Sequence, residues 1–174
     1  MVPYITVASH VMDKLDIRSK TILHCCITWY CRDEHRSRKL LNILQHKAGF
    51  SLRTVDWMVT NYCKRHSIVT SSGDNTTINV HNDYERHLSV YNKRNYDPFA
   101  RREKFKFTIL GHDVTSTVGQ LNFFKWFIER NLDELVREYQ DVIEQDMKQG
   151  GKQSVVTPSL STTVLRGSFD LSFL

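Results

Sequence analysis

The run Thr117-Val118-Gly119-Gln120-Leu121-Asn122-Phe123-Phe124-Lys125-Trp126 sets the frame for the rest of the chain. Thr117 can cap a helix, and Gln120 three residues later can reach back to close a capping box. From there Val118, Leu121, Phe124, Ile128, Leu132, Leu135, Val136, Tyr139, Val142 and Ile143 keep helical spacing for about seven turns. Phe123, Trp126 and Phe127 widen the apolar face beyond one stripe. The expected element is a long C-terminal helix covered on more than one side. Asn131 with Glu134 could restart it, which allows a kink near Asn131.

Upstream, the period changes. Lys104 to Leu110 alternates, with Phe105, Phe107 and Ile109 on one face, and Gly111-His112-Asp113 turns it into Val114–Ser116. That is a β-hairpin. Before it, Pro98 holds Asp97 extended, so Asn95-Tyr96-Asp97-Pro98 is a turn, expected to drop Phe99 into the core. Tyr84 to Tyr91 suits a short helix. Ser67–Thr70 and Thr76–Val80 read as a second hairpin around Ser71-Ser72-Gly73-Asp74. Three helices precede it. Ser19–Arg32 is closed by Asp33-Glu34, and Glu34–Lys47 ends near Gly49. The third starts at Ser51, a natural N-cap, with Phe50 placed as a staple onto Val55. Leu52, Val55, Val59 and Tyr62 form its apolar stripe.

Downstream, Gly150 to Thr163 reads as a flexible connector, and Thr163 to Leu174 as a docked strand carrying Phe169, Leu171 and Phe173. The fold class is therefore α+β: a helical N-terminal part in winged-helix-like order, with β-hairpins packed on a long C-terminal helix. Residues 1–80 hold the helices and first hairpin. Residues 81–149 add the second hairpin and long helix to the same core, and 150–174 are the connector and final strand.

Composition narrows the function classes. The 174 residues are 40% hydrophobic and 25% charged, which excludes a disordered tail, a collagen repeat and a coiled-coil rod. Residues 1–112 carry 18 basic and 10 acidic side chains, whereas 113–174 carry 6 and 9, so cationic character belongs to the first part. The most apolar run, Thr21 to Cys31, is half the length of a membrane span and holds His24 and Thr28, so no membrane partner is expected. No secretory leader precedes it, which empties the Asn75-Thr76-Thr77 glycosylation match of meaning. Cys25, Cys26, Cys31 and Cys63 fit reduced thiols better than a disulfide framework.

Three helices followed by a hairpin can put the third helix into a nucleic-acid groove. Its outward stripe would be Arg53, Trp57, Thr60, Asn61 and Lys64, with Arg and Lys suited to phosphate or guanine and Asn to adenine. The plainer reading is the polar outer face of an amphipathic helix. A second basic cluster, Lys93, Arg94, Arg101, Arg102, Lys104 and Lys106, is mixed with Tyr91, Tyr96, Phe99, Phe105 and Phe107, as suits phosphate contact with base stacking. Its plainer reading is the wet side of a strand. Cys31 with His35 and Cys63 with His66 have zinc-like spacing, but without paired CxxC motifs the reading is core cysteine, and no metal or cofactor is expected. There is no phosphate-cradling glycine loop, GxSxG or HExxH. Glu134, Glu138, Asp141 and Glu144 fall at solvated positions. No catalytic residue is expected.

Val59-Thr60-Asn61-Tyr62, Asn95-Tyr96-Asp97-Pro98-Phe99 with Arg101-Arg102, and Thr115 to Trp126 together resemble a small uncharacterised protein family of nucleocytoplasmic large DNA viruses. The resemblance runs from about residue 52 to 147. It implies a place in host cytoplasm or the virion, and it implies no catalytic residues. Two functions are expected on these grounds. One is a non-enzymatic binding or assembly protein whose partner is a viral or host protein, with Trp57, the aromatic helix start and the final strand as candidate contact surfaces. The other is a nucleic-acid-binding accessory factor using Arg53, Trp57, Thr60, Asn61, Lys64, Arg101 and Arg102.

Overall fold

A computed structural model describes residues 4–71 and 76–150. The chain runs β1 (Ile5–Val7), α1 (Ser9–Lys14), α2 (Ile17–Cys31), α3 (Glu34–Leu44), α4 (Leu52–Trp57), a π-helical turn (Met58–Tyr62) and α5 (Cys63–His66). It continues with β2 (Val69–Ser71), β3 (Thr77–Asn79), α6 (Val80–Asn95), β4 (Phe105–Ile109), β5 (His112–Ser116), α7 (Val118–Glu129), α8 (Leu132–Glu138) and α9 (Gln140–Lys148). The mixture is α+β, as expected. The proposed turn at 72–74, the connector and the final strand lie outside the described residues.

Local chemistry explains most boundaries. Asp16, Asp33 and Ser51 cap α2, α3 and α4, each accepting a bond from a first-turn amide. Phe50 packs edge-on to Phe127. The antiparallel hairpin β4–β5 has Phe105, Phe107 and Ile109 buried and Lys104 and Lys106 exposed, as the alternation requires. Its turn is Leu110-Gly111, both at positive φ, one residue earlier than expected. β1 adds to the free side of β4, pairing Ile5 with Ile109.

The long helix is not continuous. Asn131 adopts the left-handed conformation (φ 53°) and closes α7, and Tyr139 separates α8 from α9. Asn131 makes no side-chain capping bond, but its carbonyl accepts from the Glu134 and Leu135 amides, so the helix breaks and restarts there. α7 still lies at the centre, packed against α2, α3, α6 and α8. Phe123, Phe124 and Phe127 are fully buried there with Leu23, Tyr30, Val59, Leu132 and Val136. The Tyr30 hydroxyl donates to the Leu121 carbonyl across the α2–α7 contact, at 2.9 Å.

Candidate functional site

Two of the motif segments meet at the start of α7. Thr117 Oγ1 accepts from the Gln120 amide at 3.1 Å. The Gln120 side chain does not complete a capping box. Its Nε2 donates to the Pro98 carbonyl at 2.9 Å, and its Oε1 accepts from Ser116 Oγ at 2.6 Å. Asn122 Nδ2 donates to the Asn95 carbonyl at 2.9 Å, and the Asp97 amide donates to the Gly119 carbonyl at 3.2 Å. The polar residues of Asn95–Phe99 and Thr115–Trp126 thus stitch the turn to the helix. Asp97 also accepts the Phe99 amide and two bonds from Arg101, both 2.9 Å. The ring driven into the core is Tyr96, 1% exposed, packed against Tyr84, Phe123 and Trp126. Phe99, expected there, is only half-buried and lies beneath the Arg101 guanidinium.

Beside this lattice sits a buried carboxylate that the sequence reading missed. Asp83 Oδ2 accepts from Trp126 Nε1 at 2.8 Å and from Arg130 Nε at 2.9 Å, and Oδ1 pairs with Arg86. Burial alone would raise its pKa. The Trp126 and Arg130 hydrogen bonds and the Arg130 charge outweigh burial and hold it below the usual carboxylate value.

The third motif segment, Val59–Tyr62, forms most of the π turn. Such a turn displaces the carbonyl ladder by one residue and occurs often at functional sites. Here the Val59 carbonyl accepts from His81 Nδ1 at 2.9 Å, which fixes that nitrogen as the protonated one. One turn before, Asp56 is half-buried, and its carboxylate has no hydrogen bond or ion pair among the described residues. Burial raises its pKa. Arg101 and Lys93 act to lower it and Asp97 to raise it, which places these charges about Asp56. The hydroxyl of Tyr84, pushed up to about 12 chiefly by burial, feels both Asp56 and Asp97. Two of the three motif segments therefore border one polar patch: Thr60, beside Asp56 on the bent helix, and Asp97 with Arg101 from the turn, together with Tyr84 from α6.

Of the five residues expected on the outward stripe of the third helix, Trp57, Thr60 and Asn61 are only partly exposed. Arg53 and Lys64 are exposed, on α4 and α5 on either side of the π turn. Trp57 faces inward onto α9, where its Nε1 donates to Asp146 Oδ2 at 2.6 Å, with Arg65 on the same carboxylate. Thr60 bonds back to the Asp56 carbonyl, and Asn61 bonds Thr60 Oγ1 at 2.8 Å. Arg101 is held by Asp97, whereas Arg102 is exposed. Trp57 is partly exposed and bonded to Asp146, and Phe123, Phe124, Trp126 and Phe127 at the start of α7 are buried. Asp56 lacked a signal because burial of an isolated aspartate depends on what packs over it. Cys26 and Cys63 are buried, with thiol pKa values pushed up to about 12 by desolvation. Among the described residues no group of three or more His, Cys, Asp or Glu side chains is arranged to hold a metal. No described helix is long and apolar enough to cross a membrane.

A family of unknown function, DUF7197, matches residues 5–164. An uncharacterised protein of Acanthamoeba polyphaga mimivirus is 34% identical over 124 residues, covering 66% of this chain and 48% of that protein. The chain thus spans about half the length of the curated relative it matches. No solved structure matches. With nearly its whole length matched and a relative in a giant virus, the chain belongs to DUF7197, an uncharacterised family found in giant viruses.

Proposed function

We propose that this chain is a non-enzymatic binding and assembly protein of a large DNA virus, working in the host cytoplasm or as a component of the virion. Membership of the wider group of nucleocytoplasmic large DNA viruses is part of the same proposal. The observation that supports it is Asp56: a half-buried carboxylate with no hydrogen bond or ion pair among the described residues, set near the Val59–Tyr62 and Asn95–Arg102 segments. Holding an unpaired charge there is costly, and a cation supplied from outside would relieve it. Tyr84 and Arg101 beside it are of the residue types enriched at interface hot spots. Asp56 and Asp97 would repel a phosphate backbone, which favours a basic segment of a viral or host protein as partner.

A photo-crosslinking residue at Asn61, in cells infected with the virus, tests this. The expected adduct is digested by protease, survives nuclease, and is lost when Asp56→Lys is added. Adducts destroyed by nuclease, or adducts indifferent to Asp56, would overturn it.

A second reading, a nucleic-acid-binding accessory factor, is favoured by Arg53, Lys64 and Arg102, which stay exposed and unpaired among the described residues. Helical segments α2, α3 and α4–α5 ahead of the β2–β3 hairpin are the elements such a reading needs. On this reading duplex DNA binds at low salt and affinity falls steeply as salt rises, with a shallower slope for Arg53→Gln and Lys64→Gln.

A further inference from the structure

The first helix and the middle strand of the sheet enclose a feature that the patch at Asp56 does not touch. Between α1 and the start of β4 lies an open groove of about 380 Å³. Its rim carries His10 and Lys14 from α1, Lys106 from β4 and Lys104 just before it, against a single carboxylate, Glu103. All three lysines are exposed, and none has a hydrogen-bond or ion-pair partner among the described residues. Elsewhere Lys39, Arg65, Arg101, Arg130 and Arg137 each have a carboxylate within ion-pairing distance. Around this groove the lining supplies only Glu103 against the three ammonium groups.

The sheet fixes this arrangement. Phe105 turns into the core, so Lys104 and Lys106 emerge on the same outward side, about two residue rises apart. β4 is held on both edges, by β1 and by β5. Lys106 stands on β4 opposite Thr115 of β5, and Lys104 immediately precedes the strand. Across from them Val11 and Leu15 give the groove an apolar wall. The volume falls in the range of small-ligand sites. Ammonium groups are effective point-charge partners for phosphate, and three like charges around one cleft repel until an anion enters.

We propose that this groove binds a phosphorylated ligand, with its phosphates held by Lys14, Lys104 and Lys106. The same chemistry is presented by a free nucleotide and by a nucleic-acid backbone, and the choice of probe separates them. Calorimetric titration of the full chain with ATP, with inorganic tripolyphosphate and with a short oligothymidylate is the experiment. The expected result is saturable binding of at least one probe, weakened about tenfold by Lys14→Gln and by Lys106→Gln, the loss of one charge-assisted bond each. Arg102→Gln and Asp56→Asn lie outside the groove lining and are expected to leave the affinity within about twofold, by the near-additivity of distant sites. Tighter binding of ATP or tripolyphosphate identifies a free small ligand, and tighter binding of the oligonucleotide identifies a strand. Absence of saturable heat with all three probes would overturn the proposal. So would a loss with Arg102→Gln equal to that with the groove lysines, because binding would then follow diffuse charge. Circular dichroism of each exposed-lysine variant confirms the fold, so a lost affinity reads on the groove alone.

Discussion

Gly119 shows how little room one position can leave. A Cβ built there would lie 2.8 Å from the Arg94 carbonyl oxygen and 3.3 Å from the Asn95 carbonyl carbon and the Tyr96 amide nitrogen. These are backbone atoms of the turn that the start of α7 grips, so they cannot swing aside as a side chain would. Gly119→Ala is expected to cost about 2 kcal/mol, the usual scale of an overpacked core, read as a lower urea midpoint at unchanged slope. Asp83 is the electrostatic counterpart. Its depressed carboxyl pKa means that its stabilisation is present above the ordinary carboxylate value and is lost as pH falls through the depressed one. Asp83→Asn leaves Arg130 short of a counter-ion, with an expected cost of about 3 kcal/mol at neutral pH. The gap between the two proteins' thermal midpoints should close on acidification, and a gap independent of pH would show that packing carries the effect. Neither residue stands out in the sequence. Gly119 sits in a helix start that tolerates any small residue locally, and Asp83 sits on a helix with mostly polar neighbours.

At the scale of elements, what was legible was local. The alternation of Lys104 to Leu110, the caps at Ser51 and Thr117, and the stop at Asp33 are decided by neighbours within four residues, and each stands in the structure. The long helix failed because its spacing continues across Asn131, although the backbone there is left-handed. Most residues pay about 1–2 kcal/mol in that conformation, and Asn and Gly pay less. Asn131→Ala is therefore expected to destabilise by about 1 kcal/mol and Asn131→Gly to be near neutral, as measured by chemical denaturation. Equal losses would mean that the asparagine side chain, and not its backbone, matters. The π turn failed for a related reason. An extra residue per turn shifts the helical phase, so a stripe counted from Arg53 at constant spacing no longer points one way beyond Met58.

For the whole molecule, the candidate site was half legible. The motif residues were visible as unusual runs, and Thr60 and Arg101 do share a patch. That the first two runs meet near Asp56 depends on contacts between segments some 40 residues apart, and no periodicity reports those. Trp57 carries the same lesson, because its partner Asp146 lies 89 residues further on. The cationic excess of the first part did survive folding, but it is divided between the α1–β4 groove and the exposed Arg53, Lys64 and Arg102 and does not run along one helix.

The pairing of Ile5 with Ile109 has a consequence for how the chain is made. β1 is synthesised about a hundred residues ahead of β4, so its hydrogen-bonding edge has no mate until β4 follows it out of the exit tunnel. The helices between them can form as they emerge, while the three-stranded sheet closes only once β4 and β5 are made.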